Sequence, residues 1–304
     1  MIKYVYILVS DETDYYLEEA LISLTSLRMH IPTGSVSLLI DSITEKNLTG
    51  KRKNIFGLVN EVKVADIEPR FNKKARSRWL KTSMRRYITG NFLYIDCDTV
   101  ICENLSDIED LGCDLGAVLN GHILQNGAEV KKNQANDNKI VGFDVSSINK
   151  YFNGGVILCR DIPKCHEFFD EWHKLWLYCF ERGILIDQAS FNKVNFNLGN
   201  IITEMDGKWN CQINGGGIAF LVNAKIIHYL TSLARKKNPY LLSDFDLLQK
   251  VKESGVIDDK LKEYLLHPKT IFSLNTRLET RRVREIIQDT FLQYIREYKK
   301  NVRL

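Results

Sequence analysis

No continuous apolar run in this chain exceeds six residues, and Tyr4 to Val9 is one such run. A membrane-spanning helix needs about twenty, so no transmembrane segment is expected. The same run is too short for a secretory leader, and Asp11 and Glu12 follow it in place of a small-residue cleavage site. The cytoplasm is therefore the expected compartment. Cysteine is present without pattern: there are seven, an odd number, and no C-x-x-C pair. That argues against a disulfide framework or a zinc knuckle and leaves most thiols as small buried hydrophobes. Also missing is any helix-turn-helix, finger or basic-aromatic surface motif, so nucleic acid is not an expected partner.

What is present is the balance of a packed globular protein: 304 residues, 44% apolar, 26% charged and 10% aromatic. The formal charge is +4. Arg277 to Leu304 holds eight basic residues against four acids, so the tail carries the whole excess and the body is neutral. Such asymmetry points to a tail that meets something anionic.

Tyr4 to Val9 reads as a buried strand, and Leu17, Leu21, Leu24 and Leu27 follow at helical spacing. Val36 to Ile40, ending in Asp41, and Val59 to Val64 read as further strands. Strand, helix, strand in succession predicts an α/β chain with a Rossmann-like, mostly parallel central sheet flanked by helices, binding its ligand at the strands' carboxyl ends. Ser10, Asp11 and Asp41 lie at such ends.

Arg70 to Arg86 contains eight basic side chains and no acid. Either it is a solvated helix face or it serves the strand that comes next. Phe92 to Ile95 is an apolar strand that delivers Asp96 and Asp98 at its end. Paired carboxylates hold a hard cation such as Mn²⁺ or Mg²⁺, the cation bridges diphosphate oxygens, and nearby lysine or arginine takes the remaining charge. The chain supplies its own control: Asp244-Phe245-Asp246 has the same spacing but opens the periodic run Leu247, Leu248, Val251, as a helix cap would.

Tyr151 to Leu158 puts Asn153, Gly154 and Gly155 directly ahead of an apolar strand, either as a tight turn or to let a ligand approach the backbone. Pro163 opens an aromatic helix, Asp187-Gln188 precedes Asn192, and Lys225 to His228 is a strand ending in histidine, a candidate third metal ligand.

In this order the segments Leu93 to Val100, Phe152 to Val156, Asp187-Gln188 with Asn192, Trp209-Asn210 and His228-Tyr229 resemble glycosyltransferase family 8, retaining enzymes of the GT-A fold. The resemblance runs from about Lys3 to about His228 and implies a UDP-sugar donor, Mn²⁺ and a glycan acceptor such as a cell-surface polysaccharide or lipopolysaccharide. It implies Asp96, Asp98 and His228 as metal ligands, and Ser10 and Asp11 at the nucleotide, with Tyr15 or Tyr16 a candidate to stack on the base. Lys81, with Arg78 as the alternative, is implied near the diphosphate and sugar, and Asn153, Asp187 and Gln188 beside the anomeric carbon. The family commonly carries a glycine three residues and a lysine six residues beyond its histidine; here those positions are Thr231 and Ala234, followed by Arg235, Lys236 and Lys237.

Retention requires either a covalent intermediate, for which Asp187 is the nearest carboxylate, or acceptor attack on the face the diphosphate leaves; the latter is favoured on the resemblance. The alternatives are an inverting GT-A enzyme with Asp187 as general base and an inactive nucleotide-sugar or glycan-binding scaffold. Residues 1–240 are expected to form the catalytic domain and 241–304 a helical, basic C-terminal extension. Its last segment either docks on the domain or makes a peripheral contact with the inner face of the plasma membrane. Asn120 to Asn149 is a polar excursion, read as a lid over the donor or as a surface loop.

Overall fold

The computed structural model describes residues 2–122, 139, 141–144, 148–213, 215–230, 242 and 244–270. Most of the polar excursion between Asn120 and Asn149 lies outside the described residues, as do Thr231 to Lys237 and the basic tail.

Strand β1 (Lys3–Leu8) lies third in a seven-stranded sheet. On one side of it run β2 (Val36–Asp41) and β3 (Glu61–Ala65), on the other β4 (Phe92–Ile95), all parallel. Beyond β4 come β7 (Phe152–Cys159), antiparallel to both its neighbours, then β6 (Leu115–Leu119) and the short β8 (Thr203–Glu204). A second sheet orders β5 (Thr99–Ile101), β10 (Ile226–His228) and β9 (Cys211–Gln212). The helices are α1 (Tyr16–His30), α2 (Ser42–Asn47), α3 (Lys73–Ser83), α4 (Pro163–Phe180), α5 (Gln188–Asn197), α6 (Phe245–Ser254) and α7 (Asp259–Leu266).

Successive side chains of a strand point to opposite faces, and β1 uses both. Tyr4, Tyr6 and Leu8 enter one apolar cluster with Leu17, Leu21 and Leu24 of α1, while Val5, Ile7 and Val9 enter another with Leu80 of α3 and Phe168, Phe169 and Trp172 of α4. Burial on both faces is why the run reads as continuously apolar. The same alternation governs β4: Leu93 and Ile95 join the first cluster, Phe92 and Tyr94 the second. Asp96 thus leaves the strand on the face that carries Tyr94 and α3.

Asp244 accepts hydrogen bonds from the backbone N–H of Asp246 and Leu247, so the control tripeptide is a helix cap as its spacing predicts. Leu248, Val251, Leu261 and Leu265 beyond it share the first cluster with α1. The paired glycines depart from expectation. They lie inside β7, where Asp96 N–H bonds to the Gly155 carbonyl at 2.8 Å, and not in a turn ahead of it. The reason is a close approach by a side chain from β10, the imidazole of His228.

Candidate active site

β10 runs antiparallel to β5 with His228 opposite Thr99, and the Tyr229 N–H donates to the Asp98 carbonyl at 3.0 Å. This returns the histidine to the carboxyl end of β4. One ligand atom each from Asp96, Asp98 and His228 lies within 4.8 Å of the others. His228 Nε2 is 3.1 Å from Asp98 Oδ1 and 3.9 Å from Asp96 Oδ2. The other ring nitrogen, Nδ1, is 2.9 Å from Asn210 Oδ1, which turns Nε2 toward the carboxylates. Two carboxylates and an imidazole nitrogen aimed at one point fit a divalent cation. Burial alone would lower the His228 pKa, but Asp98 and Asp96 outweigh it and hold it above its usual value.

The backbone opposite makes room for that ring. A Cβ built on Gly155 would lie 2.3 Å from His228 Cε1 and 2.7 Å from Nδ1, whereas one on Gly154 would meet only the end of Lys81, at 3.7 Å.

Lys81 is buried, and its Nζ lies 3.1 Å from Asp96 Oδ1 and 3.8 Å from Asp187 Oδ2. Arg78, one turn earlier on α3, places Nε 3.0 Å from Asp187 Oδ1. Burial pushes the Asp187 pKa up, but Lys81 and Arg78 overcome it and keep the carboxyl below the usual range. Asp187 is thus an ionised, weakly basic group between two cations. Asp96 also accepts from the Tyr94 hydroxyl. Sequence reasoning missed Tyr94, although its place two residues before Asp96 on one strand face was the signal.

Asn153 is buried; its Oδ1 accepts from the Gly155 N–H at 2.8 Å and from Asn210 Nδ2 at 3.0 Å. Gln188, half-buried, begins α5 directly after Asp187. Asn192 joins the two: Oδ1 accepts from Phe152 N–H at 2.7 Å, and Nδ2 donates to the carbonyls of Phe152 and Gln188 at 3.0 and 2.9 Å. The start of α5, with Asp187 and Gln188, is thereby registered against Asn153.

Ser10 and Asp11 follow β1, next to β4 in the sheet, but their side chains belong to a neighbouring cluster. Ser10 Oγ donates to Asp14 at 2.7 Å and accepts from Arg52 at 2.9 Å, while Asp11 pairs with Lys73 at 2.8 Å. Arg52 was not anticipated, because nothing local marks it.

The basic run resolves into separate pairings. Lys73 pairs with Asp11 and Asp14, Arg76 with Asp41, Arg85 with Asp161 and Arg86 with Asp170. Arg78 and Lys81 are the members that meet Asp187 and Asp96.

Comparison with known proteins bears on the family and the fold. The model of the family described as glycosyl transferase family 8 matches residues 7–234. No curated protein matches the chain in sequence. Among solved structures, the galactosyltransferase LgtC in complex with donor and acceptor sugar analogs superposes with a TM-score of 0.55 at 14% identity, over 86% of this chain and 99% of that one. The WbbM bifunctional glycosyltransferase in its apo form gives 0.50 at 17% identity, over 75% of this chain and 45% of its own length. These likenesses establish the fold, a mostly parallel sheet flanked by helices as in the GT-A enzymes. The match over residues 7–234 establishes the family: the chain belongs to glycosyl transferase family 8 and is a glycosyltransferase.

Proposed function

We propose that the protein moves a hexose from a UDP-sugar to a glycan acceptor, a cell-surface polysaccharide or lipopolysaccharide, with retention of configuration and with Mn²⁺ or Mg²⁺ held by Asp96, Asp98 and His228. The observation that carries this reading is the convergence of those three side chains at a strand end, within reach of Lys81. A cation bound there would supply electrostatic stabilisation of the charge that develops on the departing diphosphate. Lys81 adds a fixed positive charge beside it. Asn153, Asp187 and Gln188 orient the sugar, and Ser10 and Asp11 line the nucleotide end.

Retention rather than inversion is supported by the state of Asp187. An inverting enzyme needs a carboxylate base whose pKa is raised toward neutrality. Asp187 is shifted the other way, by Lys81 and Arg78. The same shift suits a charge that stabilises a cationic transition state.

Residues 1–240 form the proposed catalytic unit and 241–304 its extension. Within the described residues no helix is long and apolar enough to cross a membrane. The proposed peripheral contact at the cytoplasmic face of the plasma membrane rests on the charge of Arg277 to Leu304, outside the described residues. Liposome binding that survives deletion of that segment would remove it.

The deciding experiment is a screen of UDP-sugars for Mn²⁺-dependent hydrolysis and transfer, with the product anomer assigned by NMR. Retention with loss of both activities in Asp98→Asn is expected. Inversion would overturn the retaining assignment, and unchanged activity in Asp98→Asn would overturn the role of the carboxylates.

A further inference from the structure

We infer that Asn210 is a positioning residue that links the metal ligand His228 to the sugar-lining residue Asn153, with the direction of the link set by a single backbone amide. This rests on reading Asp96, Asp98 and His228 as the cation site. The oxygen and nitrogen of a side-chain amide are alike in size, so shape alone does not orient it. A backbone N–H can only donate. Gly155 N–H meets the Asn153 amide at 2.8 Å, so the atom it meets is the oxygen. That oxygen also lies 3.0 Å from the Asn210 amide, which must present its nitrogen there. Asn210 Oδ1 is then the atom facing His228 Nδ1 at 2.9 Å.

An amide oxygen accepts, so Nδ1 carries the hydrogen. In the neutral ring Nε2, 3.1 Å from Asp98, is left with its lone pair, the tautomer a cation requires. At the far end Asn153 Nδ2 is free to donate to Asn120 Oδ1, 3.2 Å away, as the same orientation demands. Asn210 and His228 are buried, with 0% and 2% of their surface exposed, so no solvent exchange loosens the chain. Gly155 acts twice, since its N–H sets the direction and its missing Cβ leaves space for the imidazole. Through Asn210, the Trp209-Asn210 motif makes metal ligation and sugar orientation parts of one hydrogen-bond chain.

The two halves separate by substitution. Asn210→Asp keeps an oxygen toward His228 but turns a second oxygen on Asn153 Oδ1, so that two acceptors face each other with no hydrogen between them. Asn210→Leu removes both contacts. The full-length chain is titrated with Mn²⁺ in the absence of any sugar nucleotide, free Mn²⁺ is followed by electron paramagnetic resonance, and donor turnover and melting temperature are recorded separately. Loss of a partner that orients a metal-bound histidine typically costs about 10- to 100-fold in affinity, and that is the expectation for Asn210→Leu. Asn210→Asp is expected to bind Mn²⁺ at least as tightly as the parent while losing about tenfold or more in turnover, the effect of a buried acceptor left unpaired. Unchanged Mn²⁺ affinity in a folded Asn210→Leu overturns the inference, as does full turnover in Asn210→Asp. If Asn210→Leu does not fold, Asn210→Asp decides alone. His228→Gln separates the two levels: unchanged affinity there overturns the cation site itself, whereas lost affinity there with an unaffected Asn210→Leu overturns only the link.

Discussion

Gly155 and His228 occupy space that a single added methyl group would contest: the Cβ of any other residue at 155 would sit 2.3 Å from the imidazole Cε1. Contacts that short do not persist, and the ring is hemmed in by Asn210 and Asp98, so it must rotate or leave. Gly155→Ala is therefore expected to weaken Mn²⁺ binding by about 10- to 100-fold. Gly154→Ala meets Lys81 only at ordinary contact distance, 3.7 Å, and is expected to keep parental Mn²⁺ affinity. Equal affinities for the two variants, measured by calorimetry, would show that the glycine has no part in placing the histidine.

Lys81 and Arg78 both face Asp187, but Lys81 alone also hydrogen-bonds to Asp96 among the described contacts. Lys81→Met keeps the buried stem and removes a charge from two carboxylates at once. A loss of about 10²- to 10³-fold in kcat is expected, the usual effect of removing one preorganised electrostatic contact. Arg78→Met leaves Lys81 on both acids and should cost less. Steady-state kinetics with a saturating UDP-sugar compare them, and a larger loss in Arg78→Met would reverse the assignment.

How much of this was legible beforehand depends on the range of each interaction. The strand before Asp96, the cap at Asp244 and the strand ending in His228 are local patterns, and a period or a boundary residue reveals them. The fate of the basic run is not local. Apart from Glu68 beside Arg70, its partners Asp11, Asp14, Asp41, Asp96, Asp161, Asp170 and Asp187 lie in other parts of the chain, and only the folded sheet brings them to α3 and the turn beyond it. The glycine pair was open to misreading for the opposite reason. Glycine marks a turn by its backbone freedom, whereas at 155 it is needed for its small volume inside a strand, against a ring 73 residues later in the chain.

His173 offers a pH dependence away from the site. It is buried on α4, its Nδ1 2.8 Å from Thr82 Oγ1 and its ring packed on Trp79 and Trp176. Burial, helped by Arg86 and opposed by Asp170, lowers its pKa from 6.5 to about 4. The unfolded chain therefore binds a proton that the folded chain refuses, so stability is full above pH 6.5 and falls as the pH drops toward 4. Each pKa unit is worth about 1.4 kcal/mol, so the loss across this window is about 3 kcal/mol. Urea unfolding of the parent and His173→Gln at a series of pH values should show the parent losing that much more. Parallel pH profiles would mean that His173 is not held neutral.

Lys252 ties the described part of the proposed extension to the loop proposed to line the nucleotide. Its Nζ donates to the carbonyls of Glu12 and Asp14 at 2.6 and 3.0 Å and lies 4.8 Å from the centre of the Tyr15 ring. Tyr15 in turn donates to Gln249 at 3.0 Å and meets Phe245 edge-on at 5.7 Å. Lys51 and Asn54 donate to the carbonyls of Glu253 and Gly255 at 2.7 and 2.8 Å, so α6 is fastened beside the same loop. The loop after β1 that carries Ser10 and Asp11 is thus held from a segment more than two hundred residues away. Lys252→Met preserves the apolar stem and deletes the two charge-assisted bonds. Because these contacts shape the loop and touch no reacting atom, the KM for the UDP-sugar is expected to rise about tenfold, near 1.4 kcal/mol, while kcat stays within about twofold. Lys252→Arg should recover part of the loss, since guanidinium can still donate to both carbonyls. A fall in kcat at unchanged KM would assign the helix to the chemical step instead, and no change in either would leave α6 a packing element alone.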